Sequence, residues 1–353
     1  HQLTSDNGSS LSYDKTGNRT NSGYSTSTGN RLTSDGTWSY SYNDEGEIVT
    51  KSKSGEHWTY DYDLRGQLTK AEKRASSGGS VIDSVTYAYD AFGNRISRVQ
   101  TGTSSSTARY VVDGWDTSKP GAIGSENFDV VLDLDGSNAV TMRRIFGSGF
   151  DDLVAREDAS GVVKWYGTDH LGSVRAIFDN SGGVSNAVDY DAFGGILSGV
   201  NVDRYSWTGR EADSLTGLRH NRAREYDPAI GRWMSEDPIG FAAGDVNLFR
   251  YTGNESTGAV DPSGYAVRTP GISEVLPGRP ERSLTWLDWF RIISSAGTLP
   301  VTQAVDHAVE VAGTVYEGQR ASGENVAGSV VITGLYLVAE AVGVAPIVEA
   351  VTG

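Results

Sequence analysis

A short pattern that recurs along the chain limits its fold more than any other feature. In this pattern, Tyr is followed by Asp or Asn, then by two or three residues and Gly, and then by a polar–aliphatic stretch. Aromatic and β-branched residues near such turns are typical of short strands joined by tight connections. The pattern therefore predicts an array of β-hairpins. It occupies residues 12–19, 41–50, 61–70, 88–97 and 189–198.

One unit shows how each hairpin is expected to form. Alternation along a strand places Tyr60 and Tyr62 on the same face. We expect the Asp63 side chain to accept a hydrogen bond from a backbone N–H two residues on, and Gly66 to supply the positive φ of the turn. A single hairpin cannot bury its aromatic face, so neighbouring units must stack. An ordinary antiparallel sandwich with similar turns is the alternative.

The repeats resemble those of the YD-repeat family, which includes bacterial Rhs proteins, the C components of Tc toxins, and teneurins. A more specific resemblance, to the Rhs-associated core, covers residues 141–264 and includes the string DHLGSVR at 169–175. The resemblance implies a mainly β fold, in which a spiral of hairpins forms a shell or barrel-like wall around a core plug. Other blocks that carry the resemblance are 145–158, 164–183, 205–240 and 247–264.

This resemblance divides the chain into four parts. Residues 1–140 are expected to be shell turns, and residues 141–264 the Rhs-associated core and plug. The Pro- and Gly-rich residues 265–283 are interpreted as a linker at a candidate cleavage site. Residues 284–353 have apolar side chains at helical spacing and are similar to the small α-helical pre-toxin region of the family.

Two Asp-Pro-x-Gly tetrads are the one constellation that suggests chemistry. They run from Asp237 to Gly240 and from Asp261 to Gly264, with twenty residues between them. One interpretation is that they serve only as turns. The other is a reactive pair, because two carboxylates held close together cannot both ionise cheaply, so one holds a proton while the other acts as a base. Such a pair can activate water against a peptide bond without a metal or a cofactor.

In the resembled family the double motif marks a self-cleaving aspartyl site, which cuts just past the second tetrad. Carried over by motif, the cut falls at Gly264 and Tyr265. Asp227 and Glu225 are further candidate acids, and Arg224 is a candidate to hold a carboxylate ionised.

Two departures leave a non-cleaving structural seal as the alternative. Tyr265 stands where the family usually has Leu, and the spacer is slightly longer than usual.

Other residues and the composition argue against further chemistry. The formal net charge of −15 disfavours a nucleic-acid partner, and the absence of cysteine excludes disulfides and thiol catalysis. His170 has no second ligand at metal-binding spacing and is interpreted as a hydrogen-bonded turn residue. Asp133 and Asp135 lack the rest of a calcium loop and are likewise interpreted as turn residues. We expect neither a cofactor nor a metal.

The apolar segment 327–353 has three interpretations. It is a transmembrane helix, a buried helical hairpin inside the shell, or a segment that meets a membrane during delivery. No toxin signature is present in the tail.

The function implied by the resemblance is encapsulation and delivery of a polymorphic C-terminal toxin by a secreted or cell-surface protein. The expected partners are the chain's own N-terminal shell and its C-terminal cargo, with a secretion apparatus or a target-cell surface. A non-cleaving structural or adhesion protein is the first alternative, and a carbohydrate-binding shell is the second.

Overall fold

The computed structural model describes residues 2–114, 127–147, 151–265 and 267, and their regular secondary structure is mainly β-strand. Short 3₁₀ turns lie at Thr28–Asn30, Trp207–Gly209, Gly240–Ala243 and Thr252–Asn254. The strands are β1 Ser5–Asp6, β2 Ser9–Ser10, β3 Tyr24–Thr26, β4 Leu32–Asp35, β5 Ser39–Tyr42, β6 Ile48–Lys53, β7 Glu56–Tyr62, β8 Leu68–Arg74, β9 Val81–Tyr89, β10 Arg95–Thr101, β11 Ser106–Val112, β12 Val130–Asp135, β13 Val140–Phe146, β14 Leu153–Asp158, β15 Val163–Thr168, β16 Val174–Phe178, β17 Val184–Tyr190, β18 Ile196–Gly199, β19 Glu211–Ala212, β20 Arg219–Asn221, β21 Arg224–Asp227 and β22 Arg232–Trp233.

Strands β3 to β18 form one antiparallel sheet, in which each strand pairs with its neighbours in the chain. This sheet has 16 strands within the described residues, and it confirms the predicted array of β-hairpins. It continues past the boundary placed at residue 140, because β12 and β13 pair with Leu132 opposite Arg143. The large sheet therefore extends to Gly199.

The turn predicted for Asp63 is confirmed. Its Oδ1 atom accepts hydrogen bonds from the N–H groups of Arg65, at 2.8 Å, and Gln67, at 2.9 Å. Gly66 has a φ of 76° and donates its N–H to the Asp63 carbonyl oxygen. Because the carboxylate satisfies amides that the ladder leaves unpaired, the turn closes without help from neighbouring strands.

The same turn occurs where no Tyr precedes the Asp, a signal that the five-unit pattern missed. In each case the side-chain oxygen accepts from the amide four residues on, and a residue with positive φ stands at the fourth position. The family string at 169–175 begins with one of these turns. Among the described residues, the turns without a preceding Tyr begin at Asp135, Asp158, Asp169 and Asp179, and those that follow a Tyr begin at Asp14, Asn43, Asp63, Asp90 and Asp191.

The Tyr of the repeat has a structural role of its own. In three units, the hydroxyl of the Tyr that ends one strand donates to the carbonyl oxygen of the first residue of the preceding strand. This bond joins one hairpin to the next, which explains why Tyr accompanies the Asp. The pairs are Tyr62 with Ile48 at 3.0 Å, Tyr89 with Leu68 at 2.7 Å, and Tyr190 with Val174 at 3.2 Å.

Strands β19 to β22 form a small antiparallel sheet that we call the plug, and it lies against the inner face of the large sheet. Leu218, Ile230 and Met234 of the plug pack with inward side chains from β4 to β9. Trp207, which precedes the plug, and Trp233, which lies in it, pack with Val188 and Tyr190 of β17 and with other buried aromatic side chains. Because strands so far apart in the sheet contact the same plug, the sheet curves around it.

Several sequence predictions concern residues outside the described ranges. The helical segment 284–353 and most of the linker 265–283 fall there, as does the membrane contact proposed for 327–353. In the part of the chain that the structure describes, no helix has the length and apolar character needed to cross a bilayer.

Two glycines allow a test of the turn. Gly182 and Gly194 have φ values of 84° and 88°, but only at Gly194 would a Cβ atom lie 2.6 Å from a buried ring, that of Trp207. We expect Gly182→Ala to lower the free energy of unfolding by about 1–2 kcal/mol, because of the positive φ. Gly194→Ala should cost about 1–3 kcal/mol more through overpacking. Urea unfolding measures both, and equal losses would contradict the close packing of the Trp207 ring against Gly194.

Candidate active site

The two Asp-Pro-x-Gly tetrads form turns related to those of the shell. Oδ1 of Asp237 accepts a hydrogen bond from the Ile239 N–H at 3.0 Å, and Gly240 has a φ of 57°. Oδ1 of Asp261 accepts from the Gly264 N–H at 2.9 Å, and Gly264 has a φ of 73°. Each turn uses one carboxylate oxygen for its own backbone and points the other oxygen, Oδ2, elsewhere.

These second oxygens meet at one arginine. Nη2 of Arg224 lies 2.8 Å from Oδ2 of Asp237 and 3.2 Å from Oδ2 of Asp261. The Arg224 guanidinium lies over the Trp233 ring, 4.1 Å from its centroid, and all four side chains are buried. The structure therefore brings Asp237, Asp261 and Arg224 into a single cluster, which we call the acid pair and its arginine.

The predicted cleavage position lies in the same cluster. Nε of Arg224 donates to the carbonyl oxygen of Gly264 at 2.6 Å, and the Tyr265 N–H donates to Oγ of Ser263 at 3.1 Å. Both carboxylates, Arg224 and Tyr265 line a cavity of about 50 Å³. A cavity of this size has room for a few water molecules.

Burial governs the protonation of the cluster. It raises the pKa of Asp237 above its ordinary value, and the nearby Arg224 guanidinium opposes this rise without cancelling it. Burial also lowers the pKa of Arg224, against the effect of the two carboxylates. Burial thus moves Asp237 toward its protonated form relative to an exposed aspartate.

Glu225 and Asp227, the other two candidate acids, are not part of this cluster. They lie on the opposite face of β21 from Arg224, because successive side chains of a strand alternate between faces. Oε1 of Glu225 contacts Arg95 at 2.5 Å and His220 at 2.8 Å.

The surroundings of these two acids suit structural pairing. Burial raises the pKa of Glu225 to about 7, although Arg95 opposes the rise. Oδ2 of Asp227 contacts Nζ of Lys51 at 2.7 Å. Both acids therefore join the plug to the shell.

The three residues that the sequence analysis interpreted as turn residues, His170, Asp133 and Asp135, have defined partners. Nε2 of His170 contacts the Thr257 carbonyl oxygen at 3.0 Å, within a turn, as expected. Asp135 begins a turn, but the interpretation of Asp133 as a turn residue is wrong. Asp133 lies inside β12 and pairs with Arg204 at 2.7 Å, because its side chain points inward toward the plug. Among the described residues, no group of three metal-ligating side chains occurs.

Sequence reasoning missed the ion pairs that fasten the plug. Asp151, just before β14, contacts Arg210 at 2.6 Å and Arg222 at 2.8 Å. Burial acts to raise the pKa of Asp151, but the two guanidinium groups outweigh it and hold the pKa at about 2. No local pattern marks these residues, because their partners come from distant parts of the chain.

Comparison with known families supports this architecture. The family model described as "Teneurin YD-shell" matches residues 2–110 and 152–256, more than half of the chain. The chain belongs to the YD-shell family. The match covers much of the large sheet together with the plug and Asp237, and it stops short of the second tetrad.

Curated relatives of this YD-shell chain include toxins of different kinds. The chain is 29% identical to the tRNA3(Ser)-specific nuclease WapA of Bacillus spizizenii, over 76% of this chain and 10% of that protein. It is 27% identical to double-stranded DNA deaminase toxin A of Burkholderia cenocepacia, over 67% of this chain and 18% of the toxin. The toxin subunit YenC2 of Yersinia entomophaga is 29% identical, with 59% and 22% covered. The chain therefore spans 10% to 22% of the length of these relatives.

A solved structure shows the same fold. The Photorhabdus luminescens Tc holotoxin pore aligns with 75% of this chain and 13% of its own chain, with a TM-score of 0.54 and 19% sequence identity. This likeness supports the mainly β shell fold predicted from the repeats.

The ion pairs of Asp151 lead to a pH-dependent prediction. Asp151→Asn should lower the free energy of unfolding by about 3–5 kcal/mol at neutral pH, because two buried guanidinium groups lose their partner. A carboxyl group with a depressed pKa stabilises the fold above its unfolded pKa, and this contribution disappears as pH falls through about 2. The difference between variant and wild type should therefore shrink in acid, as urea unfolding at several pH values would show.

Asp189→Asn is the control for this experiment. Its carboxylate is 65% exposed and lies 3.6 Å from Arg175. We expect a change within about 0.5 kcal/mol, as for most surface positions. If Asp151→Asn lowered the free energy of unfolding no more than Asp189→Asn does, the ion pairs of Asp151 would not fasten the plug.

Proposed function

We propose that this chain is the C-terminal part of a YD-repeat shell that encapsulates and delivers a C-terminal toxin or effector, and that it cuts itself next to Tyr265. The observation that carries the cleavage proposal is the position of Arg224. Its guanidinium group binds both carboxylates of the acid pair and the Gly264 carbonyl oxygen at the same time. This arrangement supports cleavage of the Gly264–Tyr265 peptide bond.

The proposed reaction is a hydrolysis by the acid pair. A water molecule in the cavity attacks the Gly264 carbonyl carbon while Asp261 takes a proton from the water. Nε of Arg224 stabilises the negative charge that develops on the carbonyl oxygen. Asp237 gives its proton to the Tyr265 nitrogen as the C–N bond breaks. The products are a carboxyl group on Gly264 and an amino group on Tyr265.

The relatives support a role as a container rather than as the toxin. Their printed names include a tRNA nuclease and a DNA deaminase, although the region shared with this chain spans 18% of their length or less. A shared part that accompanies different activities suits a shell that holds different cargoes. The proposed partners are the remaining shell, the cargo and a secretion apparatus or target-cell surface, with a secreted or cell-surface location.

The acid pair can be tested by isosteric substitution. We expect wild-type protein to yield two masses, for residues 1–264 and 265–353. Asp237→Asn and Asp261→Asn should each slow cleavage by about 10²- to 10⁴-fold, because each removes one proton-transfer group. Intact-mass spectrometry of the full chain measures the products.

The Asp189→Asn variant is the control, because it changes an exposed carboxylate outside the cluster. It should be cut at the wild-type rate. A single uncut wild-type species would sink the cleavage proposal and favour the structural seal.

The protonation of Asp237 sets the expected pH dependence. Burial raises its pKa, and the proposed reaction needs the protonated form, so the cleavage rate should fall as pH rises through that raised value. The rate is measured by refolding denatured, uncut protein at a series of pH values and following the 265–353 fragment. A rate that climbs steadily into alkaline conditions is incompatible with Asp237 as the acid.

A further inference from the structure

Four consecutive residues bind the four consecutive carbonyl groups of the second tetrad. Residues 221–224 supply the donors and residues 261–264 the acceptors, and we call this set of bonds the carbonyl clamp. The bonds are Asn221 Nδ2 to Asp261 at 2.7 Å, Arg222 Nη1 to Pro262 at 2.9 Å, Ala223 N to Ser263 at 3.1 Å, and Arg224 Nε to Gly264 at 2.6 Å.

The carbonyl clamp is not an ordinary strand pairing. Only the Ala223 bond joins two backbone groups, whereas the other three donors are side chains. A β-ladder would use alternate residues of each strand and would leave the other carbonyl groups facing away. Here every carbonyl from Asp261 to Gly264 is held, so the path and register of this segment are defined residue by residue.

The backbone conformation of Arg222 indicates that its side chain makes stabilising contacts. Arg222 and Ala223 form the two-residue loop between β20 and β21, and Arg222 has a φ of 56°. Glycine or asparagine is favoured at such a position, because other side chains strain the left-handed conformation. An arginine there costs stability, and its contacts to Pro262 and Asp151 offset that cost.

The contacts of Arg222 also anchor the clamp to the shell wall. The guanidinium group that binds the Pro262 carbonyl oxygen contacts both carboxylate oxygens of Asp151, at 3.0 and 2.8 Å. Asp151 lies two residues before the start of β14 of the large sheet. The second tetrad is therefore held by the plug, and the plug is held by the wall.

We propose that the carbonyl clamp sets the register of the Gly264–Tyr265 bond against the acid pair, and that Asn221 and Arg222 are positioning residues for the cut. This inference rests on the proposed function. The clamp holds only groups on the Gly264 side of the bond, so it also retains the new C terminus of the shell after cleavage. The carboxyl group formed on Gly264 stays beside Arg224.

Substitutions in the full chain separate positioning from stability. Asn221→Ala removes the donor to Asp261, and Arg222→Gly removes the donor to Pro262 while relieving the strained backbone. We expect each to slow cleavage by about 10- to 100-fold, because small displacements of a reacting bond are costly. The pH dependence of the residual rate should match the wild type, since Asp237 is intact.

Asn254→Ala is the matched control. Asn254 is also a buried asparagine whose Nδ2 donates to a backbone carbonyl oxygen, that of Gly17 at 2.9 Å, and it lies outside the clamp. It should lose stability and still be cut at the wild-type rate. Wild-type cleavage in Asn221→Ala, or an equal slowing in Asn254→Ala, would overturn the positioning role.

Amide hydrogen exchange tests the clamp independently of the reaction. The Ala223 N–H, which donates to Ser263, should be equally protected in cut wild-type protein and in uncut Asp237→Asn protein, and should lose protection in Arg222→Gly. If the wild type is never cut, the proposed function fails, while exchange in the uncut chain still decides whether the clamp exists. Rapid exchange of Ala223 in every form would refute the clamp itself.

Discussion

The structure depends on one local interaction, in which an aspartate carboxylate accepts backbone N–H groups of its own turn while a later residue adopts positive φ. This turn closes hairpins along the large sheet, as at Asp63 and Asp169. It needs no partner from another strand, so each hairpin can form locally and then stack. The two tetrads use related turn chemistry at Asp237 and Asp261.

The candidate site is formed by the carboxylate oxygens that do not take part in closing the turns. In each tetrad Oδ1 closes the turn, and Oδ2 is directed to the Arg224 guanidinium group. Turn geometry thus aims two carboxylates at one point, while burial beside Trp233 keeps the charges strongly coupled. In the proposed cleavage reaction, one arginine of the plug combines with this turn motif to form the reactive arrangement.

Between the shell and the plug, buried ion pairs accompany the aromatic packing. Glu225 with Arg95, Asp227 with Lys51, and Asp151 with Arg210 join parts of the chain far apart in sequence. Buried pairs contribute little net stability, but losing one partner is expensive, so they select one arrangement of plug and wall. The carbonyl clamp extends this selection to the second tetrad.

The sequence alone predicted the hairpins and the turn at Asp63, and it singled out the two tetrads and named Arg224 as a candidate to hold a carboxylate ionised, because these depend on local patterns and a motif. It could not separate Arg224 from Glu225 and Asp227, since the short strand β21 has no clear periodicity, and only its pairing in the plug decided which side chains share a face. Asn221, Arg222 and Asp151 carry no local signal at all. Their roles depend on contacts across 40 residues or more, which only the packing of the plug inside the curved sheet brings together.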